Sequence, residues 1–168
     1  TLAKTNQCHS AFYFLPGKKG EVDYRYCIDH PKVIEVIQKL AQKDCVIGFH
    51  PSYGAYEDSK QFEKELQRLT AISGRTIQEG RHHYLQIKMP DTLRNWEANQ
   101  LKIDSSLGFN ENIGFRCGIC FPFHPFDYEQ RTTLQLLERP LICMEVALRR
   151  QTSHLDEFEQ QLIDLAKG

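Results

Sequence analysis

The sequence predicts an α/β fold in which strands and helices alternate along the chain. Short segments rich in apolar, β-branched and aromatic residues recur with little polar alternation, as expected for parallel strands covered on both faces. Between them lie amphipathic segments whose apolar residues are spaced at three and four, the period of a helix. This alternation is typical of βα units around a parallel sheet, open or closed into a barrel. No Pro/Gly/Ser-rich linker divides the 168 residues, so we predict a single domain over 1–168.

The predicted strands follow one another in a regular order. Five longer ones are SAFYFLP (10–16), CVIGF (45–49), HYLQI (83–87), IGFRCGI (113–119) and LICMEVAL (141–148), with short strand pieces near 76–77 and 102–103.

The predicted helices alternate with these strands. They cover residues 31–43, 58–72, 91–99, 127–138 and 153–167. Pro31 suits a first helical position, and Asp58 or Ser59 can cap the second helix at its start. Gly74 is a plausible C-terminal stop of that helix, because glycine adopts the left-handed conformation without strain.

The bulk composition excludes several classes of function. Hydrophobic residues make up 40% of the chain, charged residues 26%, and the net charge is −1. This balance gives no electrostatic reason to expect nucleic acid or an anionic membrane surface as a partner. No apolar run approaches the roughly 20 residues that span a bilayer. The six cysteines sit mostly in apolar stretches, which indicates buried thiols in a reducing compartment and therefore a cytoplasmic location.

Polar residues at the predicted strand ends are the candidates for chemistry. In βα architectures such residues gather at the carboxyl edge of the sheet, and here they are His50, His82, His83, Asp104, Arg116 and Glu145. Histidines and an aspartate from different strands can hold zinc and leave one position open for water. The alternative is that each histidine is a hydrogen-bonded structural residue.

Six motifs in order give this pattern a family resemblance. They are VIGFHPSY (46–53), GRHHYLQ (80–86), DSSLGF (104–109), GFRCGICFPF (114–123), FD (126–127) and LICMEVAL (141–148). The series resembles the polysaccharide deacetylase superfamily, carbohydrate esterase family four, and is most similar to a branch with the motifs G-L-H-P-S-Y, R-Q-H-Y-L, D-x-x-x-G and G-F-R-A-G-T. The resemblance implies a distorted (β/α) barrel that removes acetyl groups from a glycan with a divalent metal, commonly zinc, held by one Asp and two His.

Carried over residue by residue, the resemblance implies a set of site residues. His50 is the expected first metal ligand; the superfamily's second histidine falls at Gly54, so His83 is the candidate for the second. Arg116 matches an arginine that orients the catalytic carboxylate. Asp104 matches the branch's own aspartate, with a site role and a structural loop cap both open.

Other residues are expected at the rim of the site. Tyr53, Phe123 and His124 are predicted to contact the sugar, since aromatic faces form apolar platforms in polar pockets. The C-x-x-C sequence at Cys117 and Cys120 is a weaker candidate for redox chemistry, because it does not open a helix.

Two of the family's motifs have no counterpart in the sequence. The aspartate-rich strand end and the late catalytic histidine are expected to lie outside residues 1–168, so the chain is predicted to hold an incomplete site and to form a possible homo-oligomer. The rival function is a non-catalytic member of the same fold that binds carbohydrate or protein. Two departures favour this rival: Gly54 stands at the position of the second histidine, and Glu145 stands where the branch has Asp.

Overall fold

The computed structural model describes residues 10–17 and 26–151, which form a mixed α/β structure. Five strands make one parallel sheet in the order β1-β2-β3-β4-β7, and β5 and β6 form an antiparallel pair. The strands are β1 (Ala11–Phe14), β2 (Val46–Phe49), β3 (Glu79–Gly80), β4 (Ile103–Asp104), β5 (Phe126–Asp127), β6 (Thr132–Thr133) and β7 (Leu137–Glu138). The predicted α/β class with a parallel sheet is therefore confirmed.

The helices lie between the strands, as the alternation of patterns predicts. The described part of the chain contains α1 (Pro31–Ala41), α2 (Ser59–Ser73), α3 (Asp91–Ala98) and α4 (Glu145–Gln151). Two 3-10 turns, Tyr53–Tyr56 and His83–Leu85, follow β2 and β3. None of the helices described here is long and apolar enough to cross a membrane.

Helix α2 begins and ends at the residues that the sequence indicates. The Asp58 carboxylate accepts hydrogen bonds from the backbone N–H groups of Lys60 and Gln61, both at 3.0 Å. Gly74 closes the helix in the left-handed conformation at φ 65°. These caps satisfy backbone groups that the helix itself leaves without partners.

Replacing Asp58 with alanine is expected to lower the free energy of unfolding by about 1 kcal/mol, because two N–H donors lose their acceptor. Urea unfolding followed by circular dichroism measures the change. Asp58→Asn keeps the acceptor oxygen and should cost much less; equal losses for both variants would contradict the capping argument.

The hydrophobic core lies between the sheet and helices α1, α2 and α3. Phe49 of β2 is fully buried, and its ring centroid lies 5.0 Å from that of Phe62 in α2 and 6.4 Å from that of Trp96 in α3. The same cluster includes Ile37, Ile47, Leu66, Leu69, Leu93, Leu134 and Leu136. Burial of these side chains fixes the helices on one face of the sheet.

The opposite face of the sheet carries polar side chains. Tyr13 of β1 donates a hydrogen bond of 2.9 Å to Glu79 of β3, so its ring lies across β2. Gly48 makes room for this ring, since a Cβ atom at that position would stand 2.2 Å from a ring carbon of Tyr13. This face of the sheet therefore presents polar side chains and is not part of the hydrophobic core.

The predicted strand at 83–87 is wrong. The strand is β3, Glu79–Gly80, and the chain then turns through His83–Leu85. Tyr84 and Leu85 have φ values of 55° and 53°, in the left-handed region, which no extended strand allows. Burial of the Leu85 side chain in the turn accompanies this conformation.

The predicted strands at 113–119 and 141–148 are also wrong. Gly114 and Gly118 adopt φ values of 134° and 74°, and the N–H of Gly114 donates to the carbonyl of Ile142 at 2.9 Å. The first segment is thus a series of bends joined to the second. Within the second, residues 142–144 have no regular structure and Glu145 starts helix α4.

The predicted helix at 127–138 is instead a hairpin followed by a strand. Asp127 accepts from the N–H groups of Glu129 and Gln130 at 3.0 Å, as an N-cap would. Its carboxylate is also bound by the Arg94 guanidinium, and Arg131 then turns the chain at φ 54°. The capping signal therefore starts a turn. The helix predicted at 153–167 lies outside the described residues.

The cysteines differ in part from the expectation of buried thiols. Cys27 is exposed, and Cys45, Cys117, Cys120 and Cys143 are half-buried free thiols. The N–H of Gly118 donates to the carbonyl of Phe115 at 2.9 Å, so Cys117 and Cys120 lie in a turn and not at the start of a helix.

Candidate functional site

Two imidazole rings meet at the carboxyl edge of the parallel sheet. His50 directly follows β2, and His83 lies three residues beyond β3, the neighbouring strand. The His50 Nε2 and His83 Nδ1 atoms are 2.9 Å apart, and the two rings cross at 82°. The structure thus brings together the two histidines that the sequence predicts as metal ligands.

The tautomer of His50 is set by a backbone carbonyl. His50 Nδ1 lies 2.6 Å from the carbonyl oxygen of Arg81, which can only accept, so Nδ1 carries the proton. The N–H of Arg81 in turn donates to the carbonyl of Phe49 at 2.9 Å, which ties both strand ends together. His50 Nε2 is left with a lone pair directed at His83.

Burial keeps His50 neutral. The pKa of His50 is lowered to about 4, mainly by the loss of hydration on burial; the hydrogen bond to the Arg81 carbonyl opposes this shift, and the charges of His83 and Arg81 add to it. At neutral pH the ring is therefore an imidazole with a free electron pair, which is the form that binds a metal ion.

The histidine pair fits a metal ion as two of its ligands. Two imidazole nitrogens on one tetrahedral zinc, each at about 2.0–2.1 Å, lie about 3.3 Å apart. The observed 2.9 Å is within a few tenths of an ångström of that distance, and metal binding would also turn the two ring nitrogens from each other towards a shared position. Among the described residues no group of three metal-binding side chains occurs, so this part of the chain supplies a pair.

The loop after His50 is held against helix α2. Ser52 is buried; its N–H donates to Glu65 at 2.9 Å, and its hydroxyl accepts from the Gln61 side chain at 2.7 Å. Because these partners belong to α2, the loop that carries His50 and Tyr53 is fixed by the helix. Gly54, the position where the resemblance implies a second histidine, lies in this loop, and a Cβ atom there would be 3.8 Å from the Gln61 side-chain oxygen.

Tyrosine rings form an exposed surface beside the histidine pair. The Tyr53 and Tyr84 side chains are 38% and 60% exposed, and their ring centroids are 5.8 Å apart. The Tyr84 ring lies 4.4 Å from the His83 ring. Such faces are suited to stacking on the apolar side of a sugar. Tyr53 was expected here from the sequence, whereas Tyr84 was missed.

The two consecutive histidines have different environments. The His82 ring is buried against Phe62 and Trp96, with centroid distances of 5.7 Å and 5.4 Å. Neither of its ring nitrogens has a hydrogen-bond partner within residues 10–17 and 26–151, and burial lowers the pKa of His82 to about 3. His82 is a neutral core residue, which is the alternative that the sequence left open for a strand-end histidine.

Asp104 lies behind the site, in a pair with Glu138. The two residues are register partners of β4 and β7, and neither has exposed surface. Asp104 accepts from the Ser106 hydroxyl at 2.6 Å, and Glu138 accepts from the N–H of Leu107 at 3.0 Å. Burial raises the pKa of both carboxyls, and the charge of Asp104 raises that of Glu138 further. This arrangement favours the structural alternative for Asp104.

The remaining predicted site residues make contacts with the backbone of other segments. Arg116 is exposed and donates to the carbonyl of Gly108 at 3.0 Å. Phe123 pairs its backbone with Glu138 of β7, and His124 Nδ1 lies 3.1 Å from the carbonyl oxygen of Leu136. Their roles toward a substrate stay predictions.

Sequence reasoning missed the partners that hold the site. Arg81 orients His50 and Glu138 pairs with Asp104, and both lie at strand ends that the sequence analysis assigned to other segments. A shift of the third strand to residues 79–80 would have added Arg81 to His82 and His83 in the strand-end set. Glu138 had no such signal, since it was taken as part of a helix.

Compared with known proteins, the chain matches no family model, no curated protein and no solved structure.

Proposed function

We propose that this chain carries part of a divalent metal centre, preferably for zinc, in a hydrolase of the polysaccharide deacetylase type. The observation that carries the proposal is the approach of His50 Nε2 to His83 Nδ1, at 2.9 Å, from neighbouring parallel strands. The five-stranded sheet fits five strands of a distorted (β/α) barrel. The substrate class is an acetylated glycan or glycan precursor.

The residues of the chain have distinct tasks in this proposal. His50 and His83 would hold the metal ion, which would supply Lewis-acid activation of a water as the nucleophile near neutral pH. The Arg81 carbonyl keeps the proton on His50 Nδ1, so the other nitrogen remains a donor of electrons. Tyr53 and Tyr84 offer ring faces to the sugar.

A zinc titration of the full chain tests the proposal. We expect saturable zinc binding by calorimetry, weakened by at least about a hundredfold in His50→Ala and in His83→Ala, because each substitution removes one ligand. His30→Ala is the matched control, since His30 is exposed and caps helix α1. Equal zinc affinity in parent and His50→Ala would overturn the metal centre.

Activity is measured separately. Acetate release from acetylated oligosaccharides, with and without a chelator, tests the hydrolase assignment in a protein whose zinc affinity is known. Release that persists in chelator, or after the His50→Ala substitution, would argue against metal-dependent hydrolysis.

A second candidate function is carbohydrate binding without catalysis. The exposed rings of Tyr53 and Tyr84 beside the histidine pair favour it. Binding of acetylated oligosaccharide in chelator, lost in Tyr84→Ala, would support this function. Tyr128→Ala is the control, because that ring is 59% exposed and lies on the hairpin instead. Equal binding by parent and Tyr84→Ala would count against it.

A further inference from the structure

A cavity of about 570 Å³ opens on the polar face of the sheet, beside the histidine pair. Its walls come from β1 and from the chain just after β3, β4 and β7, and they include Tyr13, Arg81, Ser105, Arg139 and Leu141. The volume lies in the usual range of small-ligand sites, roughly 300–1,000 Å³. Arg81 joins the two places, because its carbonyl orients His50 and its side chain lines the cavity.

The Arg81 guanidinium is fixed but has donors to spare. Its Nε donates to the carbonyl of Ser105 at 2.9 Å, and its carbon lies 5.6 Å from the centre of the Tyr13 ring. Neither of its Nη nitrogens has a hydrogen-bond partner among the described residues. A planar guanidinium held in this way is prepared to bind a carboxylate with two parallel hydrogen bonds.

The second guanidinium belongs to Arg139, and its charge is only partly compensated. Arg139 contacts Glu79 at 3.3 Å, and the same carboxylate accepts the Tyr13 hydroxyl. Burial, together with the Glu79 charge, raises the pKa of Tyr13 to about 12, so Tyr13 stays a neutral donor. Of the two guanidinium groups that line the cavity, Arg139 is paired with Glu79, whereas the Nη atoms of Arg81 keep N–H groups that can donate to a ligand.

We infer that this cavity binds a singly charged carboxylate, and that the ligand is an acidic sugar of the hexuronate class. Arg81 binds the carboxylate with two hydrogen bonds, and Arg139 adds one charge-assisted hydrogen bond from the rim. The assignment of this sugar to the glycan substrate rests on the proposed function; the anion site itself does not.

Calorimetric titration of the full chain in the presence of chelator tests the inference. We expect saturable binding of glucuronate and no binding of glucose at the same concentrations, because glucose lacks the carboxylate. Inorganic phosphate is the competing anion and should bind more weakly than glucuronate. Absence of saturable glucuronate binding, equal binding of glucose, or tighter binding of phosphate would each overturn the assignment.

Charge-neutral variants locate the site. Arg139→Gln is expected to weaken glucuronate binding about tenfold, the effect of one lost charge-assisted contact. Arg150→Gln removes the same charge from an exposed pair with Glu111 and should bind as the parent does. Arg139→Lys should bind with intermediate affinity, which keeps the test decisive if Arg139→Gln fails to fold. Parent-like binding by Arg139→Gln would show that glucuronate does not bind in this cavity. If Arg139→Gln does not fold, parent-like binding by Arg139→Lys would show the same.

The outcome is independent of the metal centre. Glucuronate binding is measured in chelator, and zinc binding at His50 and His83 is measured without sugar. Failure of the first with success of the second would leave the hydrolase proposal standing, and the reverse result would leave the anion site standing.

Discussion

Gly80→Ala is expected to destabilise the folded chain strongly. A Cβ atom on Gly80 would stand 1.9 Å from the carbonyl oxygen of Phe49 and 2.8 Å from its carbon. Both are backbone atoms of β2, the register partner of Gly80, so no side-chain rotation can relieve the overlap. The strands must separate, which breaks the contact from the Arg81 N–H to the Phe49 carbonyl. We expect a loss of roughly 3 kcal/mol or more in the free energy of unfolding.

Gly54→Ala is the matched control for this prediction. A Cβ atom on Gly54 would find its nearest neighbour, the Gln61 side-chain oxygen, at 3.8 Å, an ordinary contact. Urea unfolding of both variants should therefore give a stability for Gly54→Ala within about 0.5 kcal/mol of the parent. A comparable loss at both positions would show that the close approach of β2 and β3 is not the cause.

The second large effect is expected at the buried carboxyl pair. Glu138→Ala removes the acceptor of the Leu107 N–H and leaves Asp104 buried beside a void. We expect a loss of roughly 3 kcal/mol in the free energy of unfolding. Glu138→Gln keeps an oxygen for Leu107 and offers an amide N–H to Asp104, so it should retain most of the stability. Similar losses in the two variants would refute the hydrogen-bond argument.

The same pair predicts how stability changes with pH. Burial and the Asp104 charge raise the pKa of Glu138 to about 9 from a usual value of 4.5, with Arg81 opposing the shift. Between these pH values the folded chain retains a proton that the unfolded chain has lost. Stability from this group is therefore complete below pH 4.5 and falls as the pH rises towards 9, by at most about 1.4 kcal/mol per pH unit.

Glu138→Gln isolates this contribution, because its side chain does not titrate. Unfolding free energies of parent and variant, measured from pH 5 to 9, should diverge as the pH rises, with the variant showing the flatter curve. Parallel curves would mean that Glu138 holds no shifted proton in the folded chain.

Local signals made helices α1 and α2 predictable. Pro31 starts α1, and Asp58 and Gly74 bound α2, because capping depends on residues within one turn of each helix end. Strands β1 and β2 were found for a similar reason, since each is a continuous apolar or aromatic run. In these segments the sequence and the tertiary structure agree.

The segments that differ are fixed by distant partners. The Asp127 carboxylate is bound by Arg94 from another element, and Gly114 is joined to Ile142 by its backbone. A single-sequence pattern contains neither contact. The turn at Tyr84 is equally hidden, because a tyrosine in the left-handed region contradicts its usual preference and depends on surrounding structure.

Part of the candidate site was predictable, because its signals are local in the sequence. Motif resemblance and strand-end position identified His50 and His83 before their rings were known to meet. The contacts at the neighbouring cavity could not be predicted in this way, because Arg139 and Glu79 are 60 residues apart in the sequence. Whether the pair holds a metal ion stays a prediction.

The three residues that follow Gly80 place their side chains in three different environments. The Arg81 side chain lines the cavity, the His82 ring lies in the core, and the His83 ring meets His50. Loss or gain of one residue between 80 and 85 would therefore exchange these environments. A charged guanidinium would enter the core, or the imidazole ring of His82 would enter the cavity. Natural variants of this protein should therefore keep the length of this segment constant, even where its residues are substituted. Insertions and deletions should occur only in the loops beyond it.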